Sequence, residues 1–211
     1  MGRILLVFRT AWYALISMEA GARRELLRIA RSAVERAAAG SDPPLAEPTH
    51  PHLRERGAAF VSLHEADGSL RGCVGVTEPD LPLADVVGRM AHAAARRDPR
   101  FSPVTPAEVA GLSLEISVLG PLEQVDSVDD IEIGVHGLLV EGRGRRGLLL
   151  PQVAVEQGWS KPRFARHASV KAGLAQEDWR APDVLLFRFR SEVFSEEGSV
   201  LASEERSPPV D

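Results

Sequence analysis

The sequence predicts an α+β fold: a mixed, largely antiparallel sheet with flanking helices. Three observations predict it. Segments of helical period and segments of strand period follow one another without strict βαβ order. Strand-like neighbours meet across short turns at Asp67-Gly68 and at 142–147, which is an antiparallel arrangement. With 211 residues, 44% of them hydrophobic, the chain can bury a core without staples, as one domain or as a domain with a smaller lobe.

Leu26, Leu27, Ile29, Ala30, Ala33, Val34 and Ala37 recur at helical spacing opposite Arg and Glu, and predict an amphipathic helix over 20–39. Gly40 ends it, and a Pro-rich connector follows over 41–51. Strands are predicted at 58–64 and 69–76, joined at Asp67-Gly68. A second helix covers 83–97 and stops at Asp98-Pro99, because a residue before proline is driven out of helical geometry. Next come a short helix at 106–110, with Pro near its start, and a β-branched strand at 112–119 closed by Gly120-Pro121. The remainder reads as a helical turn at 127–131, strands at 137–141 and 147–150, helices at 151–157 and 161–172, and one last strand over 184–194.

Residues 1–17 stand apart. Ile4 to Phe8 is apolar after a basic start, like the opening of a signal peptide, but Arg9 interrupts it and no clean small-x-small site follows. The stretch is too short and broken to span a bilayer, so an over-called start before Met18 is the simplest account. The domain is therefore expected over 18–196, with a polar, Pro-bearing, disordered tail at 197–211.

Composition narrows the function. A single cysteine rules out an internal disulfide framework and a Cys-ligated iron–sulfur cluster, and fits a reducing, cytoplasmic compartment. A net charge of −5 with 5% aromatics argues against a nucleic-acid surface. Neither a membrane span nor a cofactor motif stands out: the chain has no Walker loop, no nucleophile elbow and no H-E-x-x-H. Gly142-Arg143-Gly144-Arg145-Arg146-Gly147 spells G-x-G-x-x-G, but an apolar strand rather than a helix follows it. It reads as a solvated basic hairpin turn. His50 and His52 lie in Pro-rich coil with no further ligand at metal spacing, so no metal site is expected.

Cys73 is the most informative residue, set in Leu70-Arg71-Gly72-Cys73-Val74-Gly75-Val76. Strand alternation puts Arg71, Cys73 and Gly75 on one face, so a guanidinium shares the thiol's side and favours thiolate. Gly72 and Gly75 leave room for backbone or a ligand to come close. A small buried hydrophobe is the other reading of Cys73. Asp98 and Arg100, in Asp98-Pro99-Arg100-Phe101, are either a surface pair contributing about 0–1 kcal/mol or a cation aimed at an anionic ligand. His136, before Gly137, is either a turn histidine or a proton carrier.

These blocks occur in one order with Leu114-Glu115-Ile116-Ser117-Val118-Leu119, His136-Gly137-Leu138, Gly147-Leu148-Leu149-Leu150-Pro151-Gln152-Val153-Ala154 and Lys171-Ala172-Gly173-Leu174. In this the chain resembles the AMMECR-one domain family, whose bacterial branch is called AmmeMemoRadiSam system protein A. The resemblance runs over about 19–196. It implies an α+β fold with a larger and a smaller lobe, and a site around Arg71, Gly72, Cys73 and Gly75. It also implies a bacterial pathway shared with a Memo-like protein and a radical-SAM protein, which would bring the metal chemistry. Family members often carry a second Cys where this chain has Ser169, so a two-thiol mechanism is not expected here.

Two readings follow. In one, Cys73 is a nucleophile or covalent anchor with Arg71 beside it, His136 moves a proton, and Gly72, Gly75, Asp98, Arg100 and Gln152 line the site of a small anionic ligand. In the other, the same blocks form a non-catalytic adaptor that docks the two partners.

Overall fold

The structure, a computed structural model, describes residues 18–43 and 46–196. The expectations for 1–17 and 197–211 lie outside the described residues. Four α-helices occur among them: α1 (Ala20–Ala38), α2 (Leu83–Arg96), α3 (Pro151–Glu156) and α4 (Lys161–Lys171). The strands are β1 (Arg56–His64), β2 (Leu70–Gly75), β3 (Leu81–Pro82), β4 (Ser113–Leu119), β5 (Glu123–Val125), β6 (Gly137–Gly142), β7 (Arg145–Leu149), β8 (Val184–Phe189) and β9 (Ser191–Ser195). The α+β class is as expected, but the strands form two antiparallel sheets rather than one.

The chain divides into two compact units, the smaller being Gly120–Ser191; the larger precedes it and resumes at Glu192. In the larger unit the sheet order is β2-β1-β4-β9, and β3 pairs with the start of β1. Helix α1 buries Leu26, Ile29, Ala30, Ala33, Val34 and Ala37, the stripe that its periodicity predicts. It packs on α2, which in turn lies on β1 and β2. Ala59, Val61 and Leu63 of β1, paired with Val118, Ile116 and Leu114 of β4, form the sheet side of that core. Each buried Val, Leu or Ile among them contributes about 1.5–3 kcal/mol by leaving water.

Two polar clasps hold α1 through side chains within the helix. Glu25, 7% exposed, accepts from the Thr49 amide at 2.7 Å, the Thr49 hydroxyl at 2.8 Å and the His50 amide at 3.2 Å, and contacts His50 Nδ1 at 2.5 Å. The Arg31 guanidinium donates to both Glu196 oxygens and to the carbonyls of Val109 and Leu112.

In the smaller unit the order is β5-β8-β6-β7, with Leu138, Val140, Leu149 and Leu186 packed with Phe164, Ala165 and Ala168 of α4. The β6–β7 hairpin turns on Arg143 (φ 55°) and Gly144 (φ 69°), both left-handed, as a two-residue turn following the right-handed twist requires. Arg143 is ion-paired with Asp178 and Asp183, Arg146 with Glu141, and Arg145 donates to the Gly173 carbonyl. The Gly-rich run is thus a hairpin whose arginines are engaged within the fold.

Two expectations change. The alternation over 184–194 is two strands: β8 ends at Phe189 in the smaller sheet and β9 starts at Ser191 in the larger. The break is at Arg190, whose carbonyl accepts from the Gly120 amide at 2.7 Å. The short helix at 106–110 is a run of turns ending in a 3₁₀ turn, Val109–Gly111.

Candidate functional site

Six of the sequence-derived site residues, Arg71, Gly72, Cys73, Gly75, Asp98 and Arg100, lie in the larger unit, and Cys73, Asp98 and Arg100 are joined by hydrogen bonds. Strand β2 is an edge strand, and Cys73 pairs with Ser62 of β1. The Cys73 amide points away from β1 and donates to Asp98 Oδ2 at 2.8 Å. Asp98 is 4% exposed and also accepts from the Arg100 amide at 3.1 Å, from Arg100 Nε at 2.9 Å and from Nη2 at 2.6 Å. Arg100 Nη2 completes the ring by donating to the Cys73 carbonyl at 3.4 Å. The Asp–Pro–Arg turn thus supplies an acceptor and a donor where another strand would have supplied them, which closes the free edge at Cys73.

The electrostatics follow. The Arg100 guanidinium holds the Asp98 carboxyl well below the ordinary carboxylate range, against burial, with help from the Cys73 and Arg100 amides. The Arg100 pKa rises, chiefly through Asp98 and also through the nearness of Cys73.

Arg71 has a different role from the one its position suggests. It is 8% exposed; Nε lies 2.9 Å from Glu108 Oε1 and Nη1 donates to the Ser102 carbonyl at 3.0 Å. Thr105 and then Arg71 hold the Glu108 carboxyl below its usual range. Arg71 and Arg100 flank Phe101, 6.0 and 5.3 Å from its ring centroid. The guanidinium of Arg71 is therefore a strut between β2 and the 101–108 loop.

The glycines make room for protein. A Cβ on Gly72 would lie 2.4 Å from the Ala94 carbonyl oxygen of α2, and one on Gly75 would lie 2.2 Å from the Phe60 ring. Gly72 lets helix and strand approach, and Gly75 makes space for an aromatic ring. Cys73 remains half-buried on the sheet face opposite the helices, in a row with Ser62 and Glu115 across three strands. Ser62 and Glu108 were not singled out from the sequence. Counting back through the Asp67-Gly68 hairpin would have found Ser62, whereas no local signal links Glu108 to Arg71.

His136 and Gln152 belong to the smaller unit. Half-buried His136 accepts the Glu132 amide on Nδ1 at 3.1 Å, so its neutral ring carries the proton on Nε2. Burial lowers its pKa, and Arg188 and Arg190 lower it further. Gln152 stands in the first turn of α3.

Among the described residues, no three His, Cys, Asp or Glu side chains are placed to hold a metal ion, and no helix is long and apolar enough to cross a membrane.

A family model described as AMMECR1 matches residues 27–194. A protein of Methanothermobacter thermautotrophicus is 42% identical over 193 residues, covering 88% of this chain and 99% of the relative. One from Thermofilum pendens is 41% identical over 199 residues, covering 86% and 92%. A crystal structure of an uncharacterized protein from Pyrococcus horikoshii superposes with a TM-score of 0.76 at 37% identity, covering 82% of this chain and 90% of that one.

Proposed function

Because the chain belongs to the AMMECR1 family, we propose that its larger unit presents a ligand-binding site centred on the Cys73 thiol. On this reading the protein works as one component of a pathway, in a reducing compartment such as the cytoplasm, beside a Memo-like protein and a radical-SAM protein. The observation that carries it is the state of Cys73: its backbone is fixed by Asp98 and Arg100, while the residue is only partly buried, on the face that the helices leave uncovered. A fixed thiol beside a guanidinium suits covalent anchoring or attack on a small anionic electrophile.

Iodoacetamide labelling of the folded protein, followed by intact mass, tests the site. One adduct, abolished in Cys73→Ser, is expected. A thiol that labels only after denaturation would end the reading.

A specific observation favours a second reading, a non-catalytic docking module. Asp98 is engaged by Cys73 and Arg100, and Arg71 by Glu108 and Ser102, so Asp98 is not a free base and Arg71 not a free cation for the sulfur. Undiminished capture of the two partners by Cys73→Ser would favour docking.

A further inference from the structure

In the smaller unit, β6 and β8 pair antiparallel as far as Gly137 opposite Phe189. His136 and Arg190 are the next residues beyond that pair, at the same end of the ladder. Arg188, paired with Leu138, lies one step inside that end of the ladder. Gly137 makes this end of the ladder compact: a Cβ there would lie 2.2 Å from the Phe189 ring.

The three polar groups are in different states. Arg188 is held by Glu123 Oε2 at 3.1–3.2 Å and by the Asp130 carbonyl at 2.8 Å. His136 is locked by the Glu132 amide into the tautomer whose free donor is Nε2–H. Arg190 is exposed, and among the described residues its guanidinium has no hydrogen-bonded or ion-paired partner. Two guanidinium groups thus bear on a half-buried imidazole, with Glu132 and Glu123 opposing them more weakly. A neutral donor between one anchored and one unengaged cation is short of an anion.

We propose that His136, Arg190 and Arg188 form an oxyanion-binding site on the smaller unit, taking a phosphate or carboxylate group. Arg190 supplies the planar fork, His136 Nε2–H a single directed donor, and Arg188 a fixed background charge. This site is independent of the Cys73 reading, because all three residues lie within Gly120–Ser191.

The test titrates inorganic phosphate, and separately acetate, into the isotope-labelled full chain and follows the His136 ring signals, assigned by loss in His136→Gln. A bound oxyanion raises the midpoint of His136 protonation, because it offsets the two guanidinium charges. Arg190→Gln is expected to bind about tenfold more weakly, while Arg190→Lys retains part of the affinity. A shift with phosphate alone assigns a phosphoryl ligand, and a shift with acetate, alone or with phosphate, a carboxylate-tolerant site. Unmoved His136 signals with both anions, or Arg190→Gln binding as the parent chain does with its amide spectrum otherwise unchanged, would overturn the proposal.

Discussion

Replacing Asp98 with alanine removes the hub of the Cys73 edge. Its carboxylate, 4% exposed, accepts four hydrogen bonds, two from backbone amides and two from the Arg100 guanidinium. The Arg100 side chain is 55% exposed and rehydrates when released, so its share is small. The Cys73 amide sits on a sheet edge beneath the turn and loses its only acceptor there. The net loss is about 2–3 kcal/mol at neutral pH. Because the folded-state pKa is lowered, this contribution is complete above the ordinary carboxyl value, about 3.9, and is lost as pH falls below it toward the lower folded value. Urea unfolding at pH 7 and pH 3 checks both statements. A variant within about 0.5 kcal/mol of the parent at pH 7 would refute the hub. A stability gap that widens on acidification would refute the sign.

Three further outcomes follow from the packing. Gly72→Ala should destabilise by about 2–3 kcal/mol, since the new methyl meets a helix carbonyl that has little freedom to yield; an unchanged urea midpoint contradicts this. For Glu25, burial raises the pKa but the hydrogen bonds from His50 and Thr49 outweigh it and hold it at about 2. The clasp on Thr49 is therefore complete above the ordinary glutamate value of about 4.3 and fades as pH falls toward the folded value. Glu25→Gln should lower Thr49 amide protection about tenfold at pH 7, read by hydrogen exchange; equal protection argues against the clasp. Ser169 is fully buried with no partner for its hydroxyl, so Ser169→Ala should be neutral or stabilising by up to about 1 kcal/mol in thermal melts, and a lower midpoint would contradict that.

Much of the fold was legible because the signals were local. The α1 stripe, the Asp67-Gly68 hairpin and the Gly173 stop (φ 75°) each follow from a few neighbouring residues. The passage from β8 to β9 was not, because side chains alternate through Arg190 while the strand changes sheets, and periodicity carries no partner information. At the site, the first of the two sequence readings groups Cys73, Asp98 and Arg100, and the structure adds that Asp98 reaches the Cys73 amide. Arg71 shows the limit of a strand-face argument: Glu108, thirty-seven residues away in sequence, takes its charge.

The return of the chain at Ser191 has a consequence for synthesis. Strand β9, a border of the larger sheet, is translated only after all of Gly120–Ser191. A nascent chain arrested before β9 therefore has β4 without its outer neighbour, and Arg31 lacks the Glu196 carboxylate. The inserted unit pairs its strands only among themselves and is complete once β8 is made, so it is free to mature first, leaving the first-made half to wait for the last-made strand.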